Sequence, residues 1–265
     1  MTTNEVEPQE TQLKETKRQR LREWFKTQAG DALFNVEKSQ LEEELPLLFG
    51  YHILQLGALS DSPLLESSRI SHQILFDLYP QDIIQDGHLV CRSTHLPIDE
   101  NCVDVALLPH VLEYESDPHD ILREIERVLI GEGHLIIIGF NPLSLWGIWR
   151  ILLAWREKPP WSGHFYSAAR VKDWLGLLGF EVVKTKYMFF RPPVQTSWIM
   201  KRLSFLEKLG NYLFPWFGGT YMIIGKKRLI PITPTKVEWR IRRRLIASGI
   251  TEPTARTTKT QSRST

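Results

Sequence analysis

The sequence predicts an α/β fold, a doubly wound, mostly parallel sheet carrying an N-terminal helical extension, and three observations predict it. After Gly50, short apolar runs alternate with stretches of helical spacing, so strands joined by helical crossovers should pair in parallel. The runs His52–Leu56, Val103–Leu108 and Leu135–Ile138 are nearly continuous in apolar residues, as expected of central strands covered on both faces. The loops that follow, at 57–61, 77–80, 92–97, 108–113 and 139–146, hold the polar residues, and ligands of such sheets bind beyond the carboxyl ends of the strands.

Residues 1–20 mix charges of both signs and are expected to be disordered or loosely helical. From 21 to 48, Leu21, Trp24, Phe25, Leu33, Phe34, Leu41, Leu45 and Leu48 space two helical stretches interrupted at Gly30. This cap should lie over the ligand edge, because burying each large side chain is worth roughly 1.5–3 kcal/mol. His52–Leu56 reads as the first strand, Gln73–Phe76 as the second, His88–Cys91 as the third and Val103–Leu108 as the fourth. Asp117 and Pro118 then open a helix as N-cap and first residue, with Ile121, Leu122, Ile125, Val128 and Leu129 on its apolar face. Gly131-Glu132-Gly133 is expected to end that helix and turn the chain into Leu135–Ile138.

Leu135–Trp155 is the most apolar stretch, nearly long enough to span a bilayer. Gly139, Asn141 and Pro142 break it and Arg150 charges it, so it reads as a buried strand followed by an amphipathic helix. Ser167–Leu178 has helical spacing and Gly179 caps it, before the strands Phe180–Lys186 and Tyr221–Lys226. The folded domain is thus expected over 21–230, with 231–265 a basic, largely disordered tail.

Composition excludes several classes. At 42% hydrophobic and 24% charged, the 265 residues are ordinary globular material. The net charge of +2 argues against a protein built mainly to neutralise phosphates. The basic excess sits in the tail, and Arg240–Arg244 has only Trp239 as aromatic company, which makes nucleic acid an unfavoured partner. Cys91 and Cys102 fit neither a disulfide scaffold nor a zinc motif, and suit a reducing cytoplasm. The acidic, polar N-terminus is no signal peptide. Neither a metal cluster nor a nucleophilic triad can be assembled.

The stretch Leu96–Pro142 carries Leu96-Pro97, Val103-Asp104, Leu112-Glu113, Asp117-Pro118, Leu122-Arg123-Glu124, Arg127-Val128-Leu129, Gly131, Gly133 and Asn141-Pro142 at fixed spacing. That string closely resembles class I S-adenosylmethionine-dependent methyltransferases, and most of all the type 11 group. Phe165–Val183, with its Trp174-to-Gly179-Phe180 step, resembles the group's penultimate helix and strand. The resemblance covers roughly Leu48 to Lys227 and implies a seven-stranded sheet with a reversed last strand, S-adenosyl-L-methionine as cofactor and a transferase activity.

The resemblance also implies site residues. In the family the first strand ends in an acid and a turn of three glycines, which lets backbone approach the donor. Here Gln55 stands for the acid, Gly57 alone survives, and Leu59 and Asp61 replace the other two glycines. Asp77, 20 residues after Gly57 at the end of the second strand, stands where the family holds both ribose hydroxyls, and could equally be a turn former. The adenine-side acid is missing, its place taken by Arg92 or Ser93. Leu108 and His110 end the fourth strand, where the donor's methionine part is contacted, and His110 is a candidate general base or a structural histidine.

Trp146, Trp149, Trp155 and Trp161 follow the fifth strand, where substrate cover varies in the family. They suit packing on the sheet, a planar or apolar acceptor, or peripheral membrane contact through 143–161. Phe189–Pro193 and Trp198–Phe217 form a second aromatic group with the same ambiguity. The expected function is transfer of a methyl group to a small-molecule acceptor. The alternative is a methyltransferase-like fold that has lost donor binding and acts as a binding or regulatory module.

Overall fold

The computed structural model describes residues 17–60, 63–77, 88–91, 93–153, 159–191 and 215–229. Seven apolar runs become strands: β1 His52–Leu56, β2 His72–Asp77, β3 His88–Val90, β4 Val103–Pro109, β5 Leu129–Phe140, β6 Phe180–Met188 and β7 Thr220–Lys227. They form one sheet of order β3-β2-β1-β4-β5-β7-β6. The first five are parallel, and β7 runs antiparallel to both β5 and β6. Strand β4 lies between β1 and β5, as its nearly continuous apolar run suggests. The order reverses between β1 and β4, so the carboxyl ends of β1, β2 and β4 surround the switch point.

Alternate residues of each central strand feed two cores. On one face Ile53, Val105, Leu107, Ile136 and Ile138 pack under helices α1, residues 17–25, and α2, Gln28–Glu44. On the other, Leu54, Leu56, Ala106, Leu108, Leu135 and Ile137 meet α3, Pro118–Val128, and α5, Ala168–Leu177. Asp104, at the start of β4, accepts hydrogen bonds from the Tyr51 and His52 backbone N–H groups and so aligns the entry to β1. On α3, Glu124 and Arg127 pair three residues apart, and Glu124 also accepts from the Leu96 N–H.

Four local expectations are corrected. The N-terminal helices break at Lys26 and Thr27, not Gly30, because the Thr27 side chain accepts from Gly30 N and starts α2 there. Residues 17–20 are helical, so the expected disorder boundary at 20 cuts through α1, whose Arg18 and Leu21 are buried. Gly131-Glu132-Gly133 is no turn before β5. It lies inside that strand, with Glu132 at φ +67° and a register shift against Val103–Val105, as in a β-bulge. Asp117 precedes α3 without a side-chain capping bond, leaving Pro118 as the start signal. Residues 1–16 and the tail from Ile230 lie outside the described residues.

Gly30 still has a packing task. A Cβ there would meet the backbone of α1, within 2.5 Å of the Phe25 Cα and closer still to the Trp24 carbonyl oxygen. Backbone cannot yield as a side-chain tip does, so Gly30→Ala should cost about 1–3 kcal/mol. A fall of several degrees in the unfolding midpoint, followed by circular dichroism, is the expected result; an unchanged midpoint would show that α1 is not held against α2.

Candidate functional site

The backbone at the end of β1 turns sharply. Gly57 adopts φ +83°, a region open to glycine and costly for branched side chains, and its N–H donates to the Phe76 carbonyl at 2.7 Å. The buried Gln55 amide donates to the Gly57 carbonyl at 3.2 Å. Asp77 ends the neighbouring strand and is only 2% exposed. Among the described residues no helix separates Gly57 from β2.

Helix α1 lies across these strand ends. Arg22 donates through Nη2 to both carboxylate oxygens of Asp77, and through Nε to the Ala58 carbonyl at 2.8 Å. Arg18, 2% exposed, donates through Nη1 to the His110 carbonyl at 2.9 Å. A Cβ on Gly57 would collide with Arg18 Nη2. Burial pulls the Arg18 guanidinium below its usual range, while Glu115, Asp77 and Glu113 oppose that fall. Leu21 and Phe25, from the same face, join the core beneath.

His110 follows β4 at φ +50°, a left-handed conformation that a non-glycine residue takes only where its surroundings hold it. Its ring is fully buried between two carboxylates, with Nε2 at 3.0 Å from Glu37 Oε1 and Nδ1 at 3.1 Å from Glu113 Oε1. Burial acts to lower its pKa, but Glu37 and Glu113 outweigh burial and raise it to about 9. The ring is therefore an imidazolium at neutral pH, donating from both nitrogens. Glu113 Oε1 also accepts from the Phe140 N–H at 2.7 Å, tying the ends of β4 and β5.

An aromatic wall closes the cluster. Phe140 lies 4.1 Å from the His110 ring, between stacked partners Phe165 at 4.9 Å and Trp146 at 5.8 Å, and Trp24 of α1 meets Trp146 edge-on. Trp146 is buried and Trp161 packs beside it, so these two belong to the core. Helix α4, Leu145–Leu153, instead turns Ile148, Ile151 and Leu152 outward, next to exposed Leu143. Trp155, Trp198 and 192–214 as a whole lie outside the described residues.

Of the site residues expected from sequence, Gly57, Asp77, Leu108 and His110 do converge on the carboxyl edge. The Leu108 side chain points into the core, leaving its backbone for any contact. Ser93 is buried, and Arg92 lies outside the described residues. Cys91 is free and its thiol is pushed up to about 12 by burial first and then by Asp77 and Glu124, so it is unreactive. Among the described residues no cluster of His, Cys, Asp or Glu could hold a metal ion, and no helix is long and apolar enough to cross a membrane.

The family profile described as a methyltransferase domain matches residues 74–137. An uncharacterised Escherichia coli protein, YafS, is 34% identical over 194 residues, covering 73% of this chain and 75% of its own. A methyltransferase structure from Archaeoglobus fulgidus, described as dependent on S-adenosylmethionine, superposes with a TM-score of 0.52 at 19% identity, covering 72% of this chain and 92% of that one. The chain belongs to one family with YafS, and it has the fold of the S-adenosylmethionine-dependent methyltransferases, with a methyltransferase-domain profile over its middle. The same fold also carries other chemistry: the [4+2]-cyclase SpnF superposes with a TM-score of 0.52 at 16% identity, over 76% of this chain and 82% of its own.

The two positions that the sequence suggests for a donor, Gly57 and Asp77, stand at the ends of the adjacent strands β1 and β2. The space before them is not free. Arg18 stands on Gly57 and Arg22 holds both oxygens of Asp77. With α1 seated, both positions are taken by arginine side chains.

Sequence reasoning missed Arg18, Arg22, Glu37 and Glu113 as parts of the site. One signal was available for the first two: Arg18, Leu21, Arg22 and Phe25 share a helix face at spacings of three and four, so two arginines were due to be buried with two core residues. For Glu37 none was available, because its partner His110 lies 73 residues away.

Proposed function

We propose that the protein is an S-adenosylmethionine-dependent methyltransferase acting on a small-molecule acceptor. The observation that supports this most is the pairing at the carboxyl edge of a positive-φ Gly57 with a buried Asp77 on the next strand. With α1 drawn back, Gly57 would offer close backbone approach, Asp77 two acceptor oxygens, and Leu108 and His110 their backbones. His110 is not the base in this reading, because an imidazolium held by two carboxylates takes no proton from a substrate. Rate would come chiefly from orienting donor and acceptor in line and excluding water. The aromatic wall and the exposed apolar residues of α4 favour an apolar acceptor, one that reaches the site from a membrane surface included. The two free cysteines suit a cytoplasmic setting.

One observation favours a second reading, a binding module without donor: the arginines that fill the cleft. The two part on a direct measurement. Incubation with methyl-labelled donor and a pool of extracted metabolites should move label into a low-mass product. No transfer, together with no donor binding at millimolar concentration in wild type or in Arg18→Ala/Arg22→Ala, would leave the binding module.

A further inference from the structure

We propose that α1 is a built-in plug of the donor site: Arg18 and Arg22 hold the chain closed, and the donor binds only when α1 swings away. This inference rests on the donor-site reading above and adds to it a competition between the chain and its ligand.

The contacts of α1 are those a ligand of this edge would need. Arg22 presents a pair of donor contacts to both oxygens of Asp77, the arrangement a vicinal diol would use on the same carboxylate. Its Nε reaches the Ala58 carbonyl just past β1, and Arg18 reaches the His110 carbonyl just past β4. One helix thus engages the ends of β1, β2 and β4 together. Gly57, whose lack of a side chain gives a ligand room, gives that room to a guanidinium instead.

The same contacts show why the plug can leave. Among the described residues, Arg18 Nε and Nη2 are buried without a hydrogen-bond partner, so the closed form leaves two nitrogens of a charged side chain unsatisfied. Lys26 and Thr27, which belong to neither helix, join α1 to α2. Thr27 caps α2 through Gly30 N, so α2 keeps its own start when α1 moves. The Arg22–Asp77 pair is the accessible end, with the Arg22 side chain 18% exposed, and an incoming diol would compete there first. Unseating Leu21 and Phe25 opposes opening, so the donor's apparent affinity falls by the fraction of chains that are open.

The test is calorimetric titration of S-adenosylhomocysteine into the full chain and into its Arg22→Gln and Arg18→Ala/Arg22→Ala variants, each checked for a cooperative melt. Binding at least tenfold tighter in the variants is expected. In the unaltered protein, saturating S-adenosylhomocysteine should speed amide exchange over 17–25, a readout that no folding defect can mimic. Equal binding in all three, weaker binding in the variants, or slower exchange over 17–25 would overturn the plug and make the arginines bystanders or ligands of the donor. No binding in any protein would remove the donor-site reading, and the plug with it.

Discussion

Replacing His110 with alanine is expected to lower the unfolding midpoint by about 10 °C, since uncovering a buried charge costs about 3–5 kcal/mol and each kcal/mol moves a domain of this size by about 2–4 °C. The ring carries the one positive charge that both Glu37 and Glu113 touch, and it is fully buried with them. Removing it leaves two carboxylates facing each other beneath α1, with Arg18 bonded to the His110 backbone. The double variant His110→Ala/Glu37→Leu should recover part of the loss, because it removes one stranded charge. An equal or larger loss in the double variant would show that packing against Phe140, not charge, governs the site.

The same group sets a pH dependence. Its folded pKa of about 9 stands above the ordinary 6.5, so folding favours the protonated ring. The contribution is complete below about pH 6.5, declines as pH rises towards 9, and is lost above it. At about 1.4 kcal/mol per pH unit it amounts to about 3 kcal/mol. Denaturant melts from pH 6 to 10 should show this slope in wild type and lack it in His110→Ala.

Asp77→Ala should weaken donor binding at least tenfold, provided the comparison is made in an Arg22→Ala background. In wild type the substitution has two opposed effects: it removes the proposed ribose anchor and also frees the arginine that blocks it. Taking Arg22 out first isolates the anchor. A hydrogen bond to a charged group is worth about 1.5–3 kcal/mol, and about 1.4 kcal/mol is tenfold in affinity, so losing even one bond clears the threshold. Equal affinity for Arg22→Ala and Arg22→Ala/Asp77→Ala by calorimetry would move the donor site away from Asp77.

What the sequence determined by itself was local or periodic. Nearly continuous apolar runs suit strands covered on both faces, so β1, β4 and β5 were legible as the middle of the sheet. Gly57 and Asp77 were legible as strand-end residues because each directly follows or ends an apolar run. The amphipathic spacing of Ile121, Leu122, Ile125 and Val128 gave α3, and Ser167 with Gly179 bounded α5. Gly131-Glu132-Gly133 misled because glycines that permit a turn equally permit a bulge, and the ladder with Val103 and Val105 chose the bulge.

Only the tertiary structure decided the state of the site. Nothing within a few residues of Arg22 could say that Asp77, 55 positions on, would receive it. Glu37 on α2 and His110 after β4 likewise meet across 73 residues, and only that meeting makes the histidine a buried cation. The physical reason is range. Backbone preference and apolar periodicity act within a turn or a strand, and sequence carries them openly. Charge pairing and cleft occupancy depend on which distant segments the finished fold brings to one edge, and the chain folds its own arginines there.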